Sequence, residues 1–192
     1  MSEPASQAKR SIHRMIPFPG AVPEVGVWLW AMGEVRRNLL NSLARIEQAG
    51  FGQEFYDWRG PDSADNSVGS LLYHVAGVEL GWLYFDVLGT GLPADLKELF
   101  PLNDRTEDGK LRHVKDVPIE EHLARFKRAR QRFLEVVGAM SLDEWNDLKS
   151  PAGEDYSMTP AWTVYHLVEH ESGHLYEVRR LVRKWLETRG AG

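Results

Sequence analysis

One stretch, residues 159–184 with the sequence TPAWTVYHLVEHESGHLYEVRRLVRK, decides the fold. Thr159 followed by Pro160 is typical of a helix N-terminus, because threonine caps the first turn and proline favours the first helical position. Apolar residues then recur at the 3.6-residue spacing of a helix, and basic residues gather at its C-terminal end, where the helix dipole favours them. The pattern predicts one long helix with a well-defined inward face.

Three histidines, His166, His170 and His174, lie at four-residue intervals on this helix. Residues four positions apart occupy nearly the same helix face, so the three imidazoles form a stripe. Buried imidazoles need polar partners, and three in one stripe are difficult to satisfy by packing alone. A divalent metal ion would satisfy them.

A fourth histidine, His74, lies in the middle of an apolar segment that predicts another buried helix. The pair His170/His174, within the sequence HESGH, has the i,i+4 spacing with which HExxH zinc enzymes chelate a metal from one helix, but this pattern alone does not assure a general-base role for Glu171. His166 and His174 are roughly 12 Å apart along the axis, so one ion would take His74 and one adjacent pair. Three protein ligands with an open position are typical of catalytic zinc. Each signal alone also fits a hydrogen-bonded core histidine, but together they favour a metal site.

Composition restricts the class of protein. The 192 residues suit one domain, with 43% hydrophobic and 27% charged residues. The net charge of −5 argues against nucleic acid or an anionic membrane as the main partner. There is no cysteine, which excludes disulfides, cysteine-ligated zinc and thiol nucleophiles within the chain. No signal peptide or membrane-spanning run is evident, so we expect a cytoplasmic protein.

The periodicity predicts an all-α fold, a four-helix bundle with long connections and a short extra helix. The predicted long helices cover residues 24–48, 67–88, 118–138 and 159–184, and Ser141 begins the short helix with a capping-box pattern. We expect an extended lead-in over residues 1–23 and a single metal-binding domain over residues 24–188. The connection over residues 89–117 is long enough to predict that it either has a function or covers part of the protein surface.

The remaining histidines, glutamates and aromatic residues are assigned from their sequence neighbours. His13, His113 and His122 lie among polar neighbours and are predicted to be on the surface. Glu79, Glu169 and Glu171 are expected to be solvated or to support the metal ligands indirectly. The aromatic residues are expected to form core and pocket wall; they are Trp28, Trp30, Trp82, Tyr84 and Trp162.

Two segments, SVGSLLYHVAGVELGWL and TPAWTVYHLVEHESGHLYEVRRL, resemble the signature regions of the DinB/YfiT-like metalloprotein superfamily. Members bind one divalent metal in a four-helix bundle through an inward histidine and a His-x3-His pair. The resemblance implies that the ligands are His74, His170 and His174, and that His166 is an additional histidine one turn earlier. After the last ligand the family often has Arg-Gly-Gln or a similar run, whereas this chain has Leu175, Tyr176 and Glu177, which have larger side chains.

The resemblance also implies an activity. Some relatives are transferases or isomerases that bind a low-molecular-weight thiol on zinc or nickel, and an open metal position lowers the pKa of such a ligand. We therefore expect a thiol-dependent S-transferase acting on a small-molecule substrate. The alternatives are a hydrolase that uses a metal-bound hydroxide, and a non-enzymatic metal-binding stress-response module. Because the family usually self-associates, we also expect a homodimer.

Overall fold

Four long helices form the framework of the protein, as the computed structural model shows for residues 12–190. The chain runs through α1 (Pro23–Gln48), α2 (Gln53–Asp57), α3 (Val68–Gly81), a π-helical segment (Trp82–Val87), α4 (Ala94–Lys97), α5 (Ile119–Val137), α6 (Leu142–Asn146) and α7 (Pro160–Thr188). Helix α1 packs mainly against α7, and α3 packs against both α5 and α7. Within residues 12–190 the only β pairing consists of two isolated bridges. The predicted all-α four-helix bundle is confirmed.

The predicted helix starts are also present. The Ser67 hydroxyl accepts a hydrogen bond from the Ser70 amide at 3.2 Å at the start of α3. The Thr159 hydroxyl accepts one from the Trp162 amide at 3.2 Å, so it caps α7. Side chains of this type satisfy backbone donors that have no partner within the helix. These caps set where the two histidine-bearing helices begin.

The end of the second long helix differs from the prediction of a regular α-helix to residue 88. From Trp82 to Val87 the backbone is π-helical, and the Leu88 amide donates to the Leu83 carbonyl at 3.0 Å. The wider turn buries Leu83 and Tyr84 in the core and leaves Trp82 half-buried. Such turns often occur beside functional sites.

A buried charge cluster joins all four long helices. It consists of Arg36 from α1, Glu79 from α3, Arg130 from α5 and Glu171 from α7. Arg36 and Arg130 each donate to both glutamates, and burial is tolerated because every carboxylate is paired. The expectation that Glu79 and Glu171 are solvated or support the metal ligands is wrong, because both belong to this cluster; Glu169 is exposed.

His122 is likewise misplaced by the sequence prediction. It was expected on the surface, but only 1% of it is exposed. Its ring approaches α3 at Gly69, where an added Cβ would lie 3.4 Å from His122 Nε2. The missing side chain of Gly69 makes room for the imidazole, which has no hydrogen-bond partner among the described residues. His13 and His113 are exposed, as expected.

The lead-in and the long connection both pack against the bundle. Residues 12–22 form no helix, and the Phe18 amide donates to the Gly26 carbonyl at 2.9 Å; residues 1–11 of the predicted lead-in lie outside the described part. In the connection after the π-helical segment, Phe100 packs against Tyr73 with ring centroids 5.3 Å apart. That connection covers α3 as predicted. None of the described helices combines the length and apolarity that crossing a membrane requires.

Candidate metal centre

Helices α3 and α7 bring three imidazoles to one point. His74 Nε2 lies 3.1 Å from His170 Nε2, which in turn lies 3.1 Å from His174 Nε2. All three ligand atoms lie within 4.8 Å of one another. His74 is buried, whereas His170 and His174 are half-buried. The three histidines singled out in the sequence therefore meet, two from one helix and one from its neighbour.

Carboxylates orient two of these imidazoles. His74 Nδ1 donates to Asp104 Oδ2 at 2.7 Å, and His174 Nδ1 donates to Glu177 Oε2 at 2.6 Å. The hydrogen bond from His74 lowers the pKa of Asp104, and that from His174 lowers the pKa of Glu177. Both carboxylates are therefore ionised near neutral pH and accept the Nδ1 protons. The Nε2 atoms of His74 and His174 are left as unprotonated acceptors.

The donor set fits a divalent cation. His170 Nε2 has acceptor nitrogens on both sides but can donate a proton to only one of them. A metal ion accepts all three lone pairs at once. Two nitrogens bound at about 2.1 Å with a tetrahedral angle are roughly 3.4 Å apart, close to the observed 3.1 Å separations. Three imidazoles without a fourth protein ligand leave one position for an exogenous ligand.

The electrostatics keep the central imidazole neutral. Burial lowers the pKa of His170 to about 3. Only a neutral imidazole offers a lone pair to a metal, so this environment leaves His170 ready to bind at neutral pH. Protonation and metal binding compete for the same nitrogen.

His166 stands apart from the three ligand candidates. Its ring is parallel to that of Trp162 at a centroid distance of 5.2 Å and lies 4.9 Å from the Trp82 ring. It is 6.0 Å from the His170 ring by the same measure. His166 thus lies next to His170 but outside the group of three ligand atoms.

Sequence reasoning missed both orienting carboxylates. Glu177 lies three residues after His174, and side chains at that spacing meet on a helix, so the signal was available. Asp104 lies 30 residues beyond His74 in an irregular segment. No periodicity connects it to His74, and only the folded connection brings the two together.

Comparison with known proteins agrees with this architecture. The sequence profile of the DinB superfamily matches residues 31–178, which include all of α3, α5 and the histidine-bearing part of α7. The uncharacterized protein YkkA of Bacillus subtilis (strain 168) is 22% identical over 153 residues. That alignment covers 79% of this chain and 83% of YkkA. The similarity extends over nearly the whole bundle.

Proposed function

The chain belongs to the DinB superfamily, and on that premise we propose that it is a divalent-metal-dependent enzyme of the S-transferase type. The observation that carries the proposal is the convergence of three imidazole Nε2 atoms. Two of the imidazoles are held in the metal-binding tautomer by Asp104 and Glu177. The substrate is a small molecule, and the second reactant is a low-molecular-weight thiol.

The proposed roles follow from the contacts. His74, His170 and His174 would hold the ion, zinc or nickel. When bound, such an ion lowers the pKa of a thiol in its open position and so supplies a thiolate near neutral pH. The thiol must come from solution because the chain has no cysteine. This requirement favours the cytoplasm, where small thiols are kept reduced.

Aromatic side chains surround His166, next to the ligand cluster. Trp82 and Trp162 enclose His166, which lies between them and the ligand cluster. Their apolar rings would limit access of water to the reacting sulfur. His166 makes no hydrogen bond to another described side chain, so one of its nitrogens is available to take up or deliver a proton.

The same available imidazole favours a second candidate, a hydrolase. In this reaction His166 would take a proton from the attacking water. The two candidates differ in their dependence on an added thiol. Both require the three-histidine centre.

A paired assay separates the candidates. The zinc- or nickel-loaded protein is given 1-chloro-2,4-dinitrobenzene with cysteine or coenzyme A, and separately p-nitrophenyl acetate without thiol. The S-transferase proposal predicts thiol conjugation that chelator abolishes and that His170→Ala lacks. Conjugation at the same rate after metal removal would contradict it. Chelator-sensitive ester hydrolysis without conjugation would favour the hydrolase.

A further inference from the structure

An aromatic cavity of about 390 Å³ lies near the start of α7. It is lined by Trp82, Leu148, Tyr156, Ser157, Met158, Thr159 and Trp162. Two of its walls, Trp82 and Trp162, also contact His166, whose ring centroid is 6.0 Å from that of His170. His166 therefore links two walls of the cavity to the ligand cluster through ring contacts.

Three aromatic residues, Trp82, Tyr156 and Trp162, line the cavity. The Trp82 ring lies centrally, with the Tyr156 centroid 5.9 Å away and the Trp162 centroid 5.5 Å away. The planes are tilted by 44° and 59°, so neither neighbour stacks flat on Trp82. Trp162 is 44% exposed and Tyr156 is 36% exposed, so part of each side chain is accessible to a ligand, although the Trp162 ring is also stacked on His166. Tilted rings around a gap are the arrangement with which proteins surround methylated cations.

The charges around the cavity favour a cation. The Tyr156 hydroxyl donates to Asp86 Oδ1 at 2.5 Å, and this bond, with burial and the charges of Asp86, Glu154 and Asp155, raises the pKa of Tyr156. Those carboxylates make the rim negative. None of the residues that line the cavity is basic.

Hydrogen-bonding groups in the lining are already engaged. The Ser157 and Ser150 hydroxyls bond each other at 2.7 Å, Thr159 caps α7, and the Tyr156 hydroxyl is committed to Asp86. A primary ammonium would have to exchange its water ligands for the lone pairs that these hydroxyl oxygens retain. A quaternary ammonium has no N–H group to satisfy and interacts with ring faces alone.

We propose that Trp82, Tyr156 and Trp162 form a cage for the quaternary ammonium group of the substrate. This inference deepens the proposed function, because it assigns a chemical class to the molecule that reaches the metal centre past His166. The cationic head would occupy the cage and direct the remainder of the substrate toward the three ligand nitrogens.

Choline and its neutral carbon isostere, 3,3-dimethylbutan-1-ol, test the cage directly. They have the same shape, so an NMR titration of the metal-free protein with each isolates the contribution of charge. We expect choline to bind at least tenfold more tightly than the isostere. Trp162→Leu should weaken choline binding at least tenfold. Asp86→Asn should weaken it at least threefold, because this substitution removes a negative charge from the rim. Trp28→Leu, at a similarly exposed tryptophan outside the cavity, should change affinity less than twofold.

The other possible results either overturn the cage or separate it from the proposed reaction. Equal binding of the two probes, or no binding of choline, would overturn the cage. So would a Trp162→Leu or Asp86→Asn protein that binds choline like wild type. If choline binding fails while metal content and thiol conjugation persist, only the cage is wrong. If His170→Ala loses metal but keeps choline binding, the cage stands independently of the reaction.

Discussion

Replacing Glu171 by glutamine tests the buried charge cluster that sets the rotation of α7. Glu171 lies next to His170 in sequence but points in a different direction, because adjacent helical residues are about 100° apart, and it accepts hydrogen bonds from Arg36 and Arg130. Glutamine has nearly the same shape, so the change removes one negative charge and turns an acceptor oxygen into a donor amide. An NH₂ group would then face a guanidinium.

The expected loss of stability in Glu171→Gln follows from the burial of the charge cluster. Arg36 and Glu171 side chains are 7% and 4% exposed, and the cluster balances two positive against two negative charges. Breaking such a pair from one side leaves an uncompensated buried charge and costs about 3–5 kcal/mol. With a urea m-value of about 2 kcal/mol/M, the midpoint should fall by roughly 1.5–2.5 M. Glu169→Gln, at an exposed position on the same helix, should change stability by less than about 0.5 kcal/mol.

Urea unfolding of the metal-free protein, followed by circular dichroism, measures the effect without a contribution from ligand binding. A double substitution, Arg130→Met with Glu171→Met, removes one charge of each sign and leaves Arg36 paired with Glu79. The double substitution should lower the free energy of unfolding by less than the sum of the two single substitutions. A Glu171→Gln midpoint equal to that of Glu169→Gln would refute the reasoning.

Three further predictions concern pH, metal affinity and assembly. Burial lowers the pKa of His122 to about 4, and the Arg125 charge acts in the same direction. The unfolded chain binds this proton from about pH 6.5. The free energy of unfolding should therefore fall by up to about 3 kcal/mol as the pH drops from 6.5 to 4. His122→Phe should remove that part of the pH dependence in urea titrations, and an unchanged profile would contradict the assignment. Asp104→Asn should weaken zinc binding by about 10–100-fold in competition with a chromogenic chelator, and wild-type affinity would exclude its orienting role. The protein should have the mass of a homodimer in light scattering at micromolar concentration, and a monomer mass would contradict this.

The sequence predicted most of the framework because the relevant signals are local. The caps at Ser67 and Thr159 and the long apolar periodicities locate α3 and α7, and i,i+4 spacing places His170 and His174 on one face. These features depend on neighbours within one or two helical turns. The meeting of His74 with that pair follows once two inward faces pack together.

Features that depend on distant partners could not be predicted in the same way. Arg36 and Arg130 resemble surface residues until they are seen to contact Glu79 and Glu171 across the bundle. His122 appears polar in sequence because its burial depends on a glycine 53 positions earlier, on another helix. Asp104 reaches His74 only through an irregular connection, whose path no periodicity specifies.

The central claim is tested most directly by measuring the metal content of protein purified without an immobilised-metal column. Inductively coupled plasma mass spectrometry should find about one zinc or nickel per chain in the wild type. His74→Ala, His170→Ala and His174→Ala should each lose most of it, whereas His166→Ala should retain it. Metal-free wild-type protein that does not take up zinc or nickel would contradict the account. Loss of metal in His166→Ala with retention in His174→Ala would place the ion one helical turn away.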